Sequence, residues 1–304
     1  MTKLGDAWSM VKETFSDWSD DNASRLAAAL AYYTLLSLAP LLVIAISVAG
    51  WFFGLDAARG KIQNELVTLV GPSGAEGIQS VIANARSPSS GIVSTVIGVV
   101  TLFIGASGVF GELQGALDTV WEVQPKPGRG LIGQVRDRFL SFTMVLGVAF
   151  LLLVSLVLSI ALSAVGGAFA SALPGGEVIW HVVNAAFSFA LITGLFALIF
   201  KYIPDADVKW NDVWLGAAVT SALFTLGKIG LGIYLGRAAL SSSYGAAGSL
   251  VALVVWVYYA AQILFVGAEF TQVQARRRGR EIQPSKNAVR IKTETHTVSH
   301  AGTG

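Results

Sequence analysis

The sequence predicts an all-α, polytopic membrane protein with six transmembrane helices. Three observations predict it. Of 304 residues, 54% are hydrophobic and only 13% charged, about half the charged share of a soluble domain. The chain contains long stretches free of charge: between Arg25 and Asp56, Arg86 and Glu112, Arg138 and Glu177, Glu177 and Lys201, and Arg237 and Glu269, with a further stretch from Asp212 to Arg237 broken only by Lys228. A bilayer core of about 30 Å needs roughly 20 apolar residues in helix. Finally, these stretches are uniformly apolar, whereas a barrel strand alternates its faces over about 10 residues. Two soluble domains and global disorder are excluded by the same composition. The small net charge of +2 points to no nucleic-acid partner, and with no cysteine there is no disulfide, Cys-ligated metal or Cys nucleophile.

The spans are read near 26–53, 91–112, 140–165, 179–200, 213–235 and 246–268. Gly166-Gly167 ends the third, and Pro174-Gly175-Gly176 turns into the fourth. The first run is too long for a signal-peptide core and follows five acids and three bases, so no cleavage is expected. With six spans both termini share one side. That side carries sixteen Lys and Arg residues and the other side four, Arg59, Lys61, Arg86 and Arg237. The positive-inside rule then places both termini in the cytoplasm.

Three regions flank the spans: an amphipathic helix over 1–22, the six-helix domain over 23–275, and a basic tail over 276–304 expected to lack order beyond Pro284. In the first, Leu4, Trp8, Val11, Phe15 and Trp18 form one helical stripe. It suits either the membrane interface or the end of the bundle. Asp20, Asp21 or Asn22 can cap the first span. The external loop over 54–90 holds two short amphipathic patterns separated by Gly71-Pro72. They read as short helices over the bundle, a lid or simple packing. Helical composition continues past the second span from Gly111 to Val123, and Pro125 and Pro127 end it. Arg276, Arg277, Arg278 and Arg280 read as a topology anchor or a contact for anionic headgroups.

Catalytic chemistry finds little support. The three histidines, His181, His296 and His300, have no metal-ligand spacing, and no phosphate-binding loop is present. No cofactor is implied, and no enzyme is expected. The glycine pairs Gly50/Gly54, Gly111/Gly115 and Gly232/Gly236 read as close helix packing. Candidate pathway or internal polar residues are Lys228, Arg25, Tyr32, Ser37, Pro40, Glu112 and Glu269. Lys228 is the most informative, since a lysine at a helix centre costs ~2.5–3.5 kcal/mol on insertion scales. It lies 9 residues before Arg237, roughly 13 Å from the outer end. It either faces a polar cavity or snorkels outward. Pro40, with Ser37 three residues before it, predicts a kinked first span. Glu269 reads as an interfacial acid paired with Arg25 or Arg276.

Three blocks carry a family likeness. RLAAALAYYTLLSLAP over 25–40, GELQGALDTVWEV over 111–123 and SYGAAGSLVALVVWVYYAAQILFVGAEF over 243–270 resemble, in this order, the YihY/BrkB family of bacterial inner-membrane proteins. Asp118 stands where that pattern has an Asn-like position. The resemblance implies six spans and cytoplasmic termini but no settled activity. Members have carried virulence-factor and ribonuclease (ribonuclease BN) labels, and transport of lipid or solute has been suggested. Three readings follow. The first is movement of a lipid or other amphipathic solute, the second a scaffold for other envelope proteins. The third, a ribonuclease, lacks both acid–base groups and a basic platform. Membrane lipids, and in the scaffold reading other envelope proteins, are the expected partners. Oligomeric state is open.

Overall fold

The computed structural model describes residues 3–37, Gly54, 108–127, 176–237 and 248–291. Six helices and four short strands follow in chain order: α1 (Lys3–Asp20), α2 (23–37), α3 (108–120), β1 (Val123–Pro125), α4 (Gly176–Tyr202), β2 (Ala206–Asp207), α5 (Trp210–Arg237), α6 (Gly248–Arg277), β3 (Gln283–Pro284) and β4 (Ala288–Arg290). Among the described residues, three helices are long and apolar enough to cross a membrane, at Val182–Tyr202, Trp210–Leu231 and Val251–Arg277. They coincide with the fourth, fifth and sixth spans read from the sequence. The third span, the loop patterns of 54–90 apart from Gly54, and Pro40 lie outside the described residues, as do most of the first two spans.

The α5–α6 contact sets the bundle. Each helix carries a Gly and a Thr four residues apart, Gly216/Thr220 on α5 and Gly267/Thr271 on α6. The Thr220 side chain lies over Gly267 and the Thr271 side chain over Gly216, so that a Cβ at either glycine would collide with the facing threonine. Each hydroxyl is satisfied within its own helix. Thr220 Oγ1 donates to the Gly216 carbonyl and Thr271 Oγ1 to the Gly267 carbonyl, both at 2.7 Å. Polar threonines can therefore be buried without penalty while the two backbones approach closely. Further along, the Tyr259 phenol occupies the space above Gly227. An aromatic seam fills the rest: Phe224 stands edge-on to both Phe196 and Trp256, and Trp121 edge-on to Phe200 at 5.8 Å.

At one end of the bundle α4 finishes, α5 begins, α6 finishes, and α1, the start of α2 and the end of α3 converge. Basic and acidic residues concentrate there, and it is called the charged end below. Its elements start and stop for local reasons. Asn22, with φ +52°, ends α1 and opens α2; its carbonyl accepts from Arg25 and Leu26, while its side-chain amide donates to Asp20 O. Gly279, with φ +68°, ends α6, as Gly279 N–H donates to Arg276 O and Arg280 N–H to Ala275 O. A left-handed residue here favours glycine.

Three expectations are corrected. α3 stops at residue 120, a turn with Glu122 at φ +52° follows, and Val123–Pro125 is strand rather than helix. α6 runs to Arg277, nine residues past the expected end at 268, because Glu269 is packed inside rather than marking the water boundary. Nor is the tail without order after Pro284. β4 pairs antiparallel with β1, β3 pairs antiparallel with β2, and the chain is described to Ile291. Backbone bonds from Lys126 to Asn287 O, Ser285 to Asp205 O and Ile291 to Glu122 O stitch the tail to the α3–β1 and α4–α5 turns. These pairings are long-range, so the local polarity of the tail gives no sign of them. Residues 292–304 lie outside the described residues.

Two predictions concern this framework. Gly267→Ala lowers the melting temperature of the purified protein by the equivalent of ~1–3 kcal/mol, the usual cost of overpacking. Adding Thr220→Gly to the same chain, which removes the colliding side chain, recovers part of the loss; a double variant no more stable than the single would contradict this packing. Asp118, almost fully buried, accepts from Asp205 N–H at Oδ1, 2.7 Å away. Burial pushes its pKa up to about 7, against the lowering effect of that bond, with the Asp205 charge adding to the rise. A raised folded-state pKa means stability is present below the unfolded value and lost as pH rises through about 7. Asp118→Asn keeps the acceptor and removes the charge, so it stabilises by ~1–3 kcal/mol at pH 8 and changes little at pH 4. Melting curves at the two pH values check this.

Candidate functional site

The charged end brings α1, α2, α3 and α6 around a small group of carboxyls and arginines. α6 supplies both kinds from two positions on its surface. Gly267 and Thr271 face α5, while Glu269, two residues from each, projects about 160–200° away. Glu269 is fully buried. The group it meets is the Asp21 carboxyl in the turn between α1 and α2. No N–H or hydroxyl donor among the described residues reaches either Glu269 oxygen. Burial, with Asp17, Glu122 and Asp20 nearby, pushes the pKa of Asp21 up to about 6, against the lowering effect of its hydrogen bond to Glu269.

The expected partners of Glu269 are otherwise engaged. Arg25 is exposed. Arg276 pairs with Glu13 at 2.7 Å and Asp17 at 2.6 Å. Arg277 reaches the other Glu13 oxygen at 2.7 Å, and also Ser9 Oγ and Asp6 O. Burial alone would raise Glu13, but bonds and charges from both arginines hold its carboxyl below the usual range. Arg280 and Arg278 reach Asp212 in the first turn of α5, at 2.7 and 3.4 Å. The arginine cluster thus clamps α1 and α5 to the end of α6.

The clamp decides how α1 faces. Asp6, Ser9, Glu13 and Asp17 lie on one side of the helix, and Trp8, Val11 and Phe15 on the opposite side at about 100° per residue. Trp8 is 66% exposed and Phe15 53%. At the same end of the bundle Tyr202, Trp210 and Trp214 form a second exposed aromatic group, with ring centroids 6.1 Å apart between successive members.

The remaining sequence candidates are dispersed. Tyr32 is exposed and packs edge-on to Tyr33 at 5.7 Å. Ser37 is fully buried, its hydroxyl donating to the Tyr33 and Thr34 carbonyls at 2.8 and 3.2 Å. Glu112 is half-buried on α3. Lys228 is half-buried on α5, next to Gly227 under the Tyr259 phenol, with exposed Leu226 and Ile229 beside it. It has no hydrogen-bond or ion-pair partner among the described residues. The sequence reading did not single out Asp21 beyond a possible cap, nor the Gly/Thr pairs. For Asp21 no local signal exists. The i, i+4 spacing of Gly216/Thr220 and Gly267/Thr271 was available in principle.

Comparison with known proteins places the chain. The family profile described as Virulence factor BrkB matches residues 14–292. A UPF0761 membrane protein of Halorhodospira halophila is 28% identical over 255 residues, covering 83% of this chain and 54% of that protein. One from Rhodospirillum centenum is 26% identical over 271 residues, covering 88% and 58%. One from Vibrio atlanticus is 28% identical over 255 residues, covering 83% and 77%. The chain thus spans little more than half the length of the first two. No solved structure matches. Three membrane-length helices among the described residues, and a profile match over nearly the whole chain, make this an integral membrane protein of the BrkB family.

Proposed function

We propose that this protein sits in a bacterial inner membrane with both termini in the cytoplasm and, without enzymatic chemistry, moves a lipid or another amphipathic solute across or within the envelope. The observation that carries this reading is Lys228. It lies 16 residues along α5 from Asp212, half-buried, with no counter-ion among the described residues. A cation in a span costs ~2.5–3.5 kcal/mol, and one with no partner among the described residues, bordering exposed Leu226 and Ile229, suits the anionic group of an amphipath. Membrane lipids are the partners this requires. The exposed stripe of α1, held outward by the arginine clamp, and the aromatic group Tyr202, Trp210 and Trp214 fit the headgroup level of the cytoplasmic leaflet. The same exposed aromatic surface also supports a second reading, a scaffold that docks other envelope proteins.

Lipid movement is tested with the purified chain in vesicles, following a fluorescent anionic phospholipid between leaflets. Wild-type protein accelerates it; Lys228→Leu slows it at least about tenfold, and Lys228→Arg retains part of the rate. Equal rates for wild type and Lys228→Leu reject the role of this lysine, and no acceleration by either favours the scaffold. Topology is tested separately. A reporter fused after residue 275 reads cytoplasm and one near Ser73 reads the external side, as the distribution of sixteen bases against four requires. The opposite reading at either site rejects this orientation.

A further inference from the structure

The arginine clamp leaves one pair of acids unneutralised. Glu269 is fully buried, and neither of its oxygens meets a donor among the described residues, although the buried indole N–H groups of Trp18 and Trp121 are themselves without acceptors. The group that faces Glu269 is another carboxyl, that of Asp21. Two carboxylates have no hydrogen to share. A bond between them exists only when the pair carries an acid proton. We propose that Asp21 and Glu269 form a proton-binding site, one proton held between two carboxyl groups where the α1–α2 turn meets α6.

The surroundings favour this occupant. Asp21 faces Asp17 and Asp20 from α1, Glu122 from the turn after α3, and Glu269 from α6. Glu269 faces Asp17 and Asp21, with Arg276 as the facing cation. Arg276 is already bound to Glu13 and Asp17. A negative charge on buried Glu269 and another on half-buried Asp21 repel each other and their neighbours, and a single proton removes the repulsion and supplies the missing hydrogen bond. Burial raises Asp21, and its neighbouring acids add to the rise, so the pair keeps a proton at a pH where an exposed carboxyl has lost its own. Asp21 lies two residues before the start of α2 and Glu269 two residues after Gly267 on α6. Loss of the proton therefore acts on the joint between α2 and α6, pushing the turn away from a helix fixed against α5. This site stands apart from the transport reading. Its occupancy is a property of the carboxyl pair whatever the protein moves.

Infrared spectroscopy of the purified full-length protein in detergent, titrated from pH 4 to 11, reads the proton directly. In an Asp118→Asn background, which removes the other buried carboxyl raised towards neutral pH, a carboxylic acid C=O band that shifts in D2O should persist above pH 6. Adding Glu269→Gln should abolish it. Asp21→Asn provides the second variant. Its amide supplies a permanent donor to Glu269, so the shared proton is no longer needed, and the band's midpoint should fall by about one pH unit or more. Absence of a protonated carboxyl band at pH 6 in the Asp118→Asn protein overturns the proposal. So does a band that Asp21→Asn leaves unmoved, even if Glu269→Gln fails to fold.

Discussion

The close approach of α5 to α6 is the constraint on which the other placements depend. Two glycines leave room, and two threonines fill it from the opposite helix while bonding their own backbones. In a membrane this matters more than in water. Lipid tails compete equally for apolar side chains, so helices associate through packing and not through the hydrophobic effect. Fixing α6 against α5 also fixes the rotation of α6. Gly267 and Thr271 must face α5, so Glu269 must face away, towards the α1–α2 turn. The same registration brings Arg278 and Arg280 to Asp212 and leaves Arg276 and Arg277 for α1.

The charged end is therefore arranged more than it is stabilised. Its ion pairs involve arginines with side chains roughly one-third to one-half exposed, and such pairs contribute little individually. Their effect is positional. By engaging one face of α1 they turn the opposite face, with Trp8, Val11 and Phe15, outward. The tail strands work in the same way, since β3 and β4 tie down the turns that follow α4 and α3. Against these exposed contacts stand three acids buried among the described residues, with different solutions. Asp212 has two arginines, Asp118 has a backbone N–H, and Glu269 has only another carboxyl. Burying an acid costs several kcal/mol unless it is paired or neutral.

Much of the framework was legible in the sequence. Apolar runs of membrane length, charge-free except for Lys228 in the second, locate α4, α5 and α6, because insertion depends on summed apolarity along a segment. The stripe of α1 is equally local, being a matter of spacing within one helix. Membership of the BrkB family was readable from three blocks and agrees with the profile match over residues 14–292.

Tertiary structure decided the rest, wherever a residue's role depends on what another segment brings to it. The charge of Glu269 marked a boundary in sequence, yet the helix continues to Arg277 because α1 and α2 cover that carboxyl. The polar residues from Gln283 onward gave no pattern, yet they form strands because the turns near Val123 and Ala206 offer them unpaired backbone. The arginine cluster reads in sequence as a topology anchor or a headgroup contact, and nothing local shows that it also forms a clamp, since its acids lie more than 60 residues away in the chain. Apolarity, spacing and net charge are properties of a segment and can be summed from the sequence. The pairing of a buried carboxyl is a property of two segments, and only the folded chain sets it.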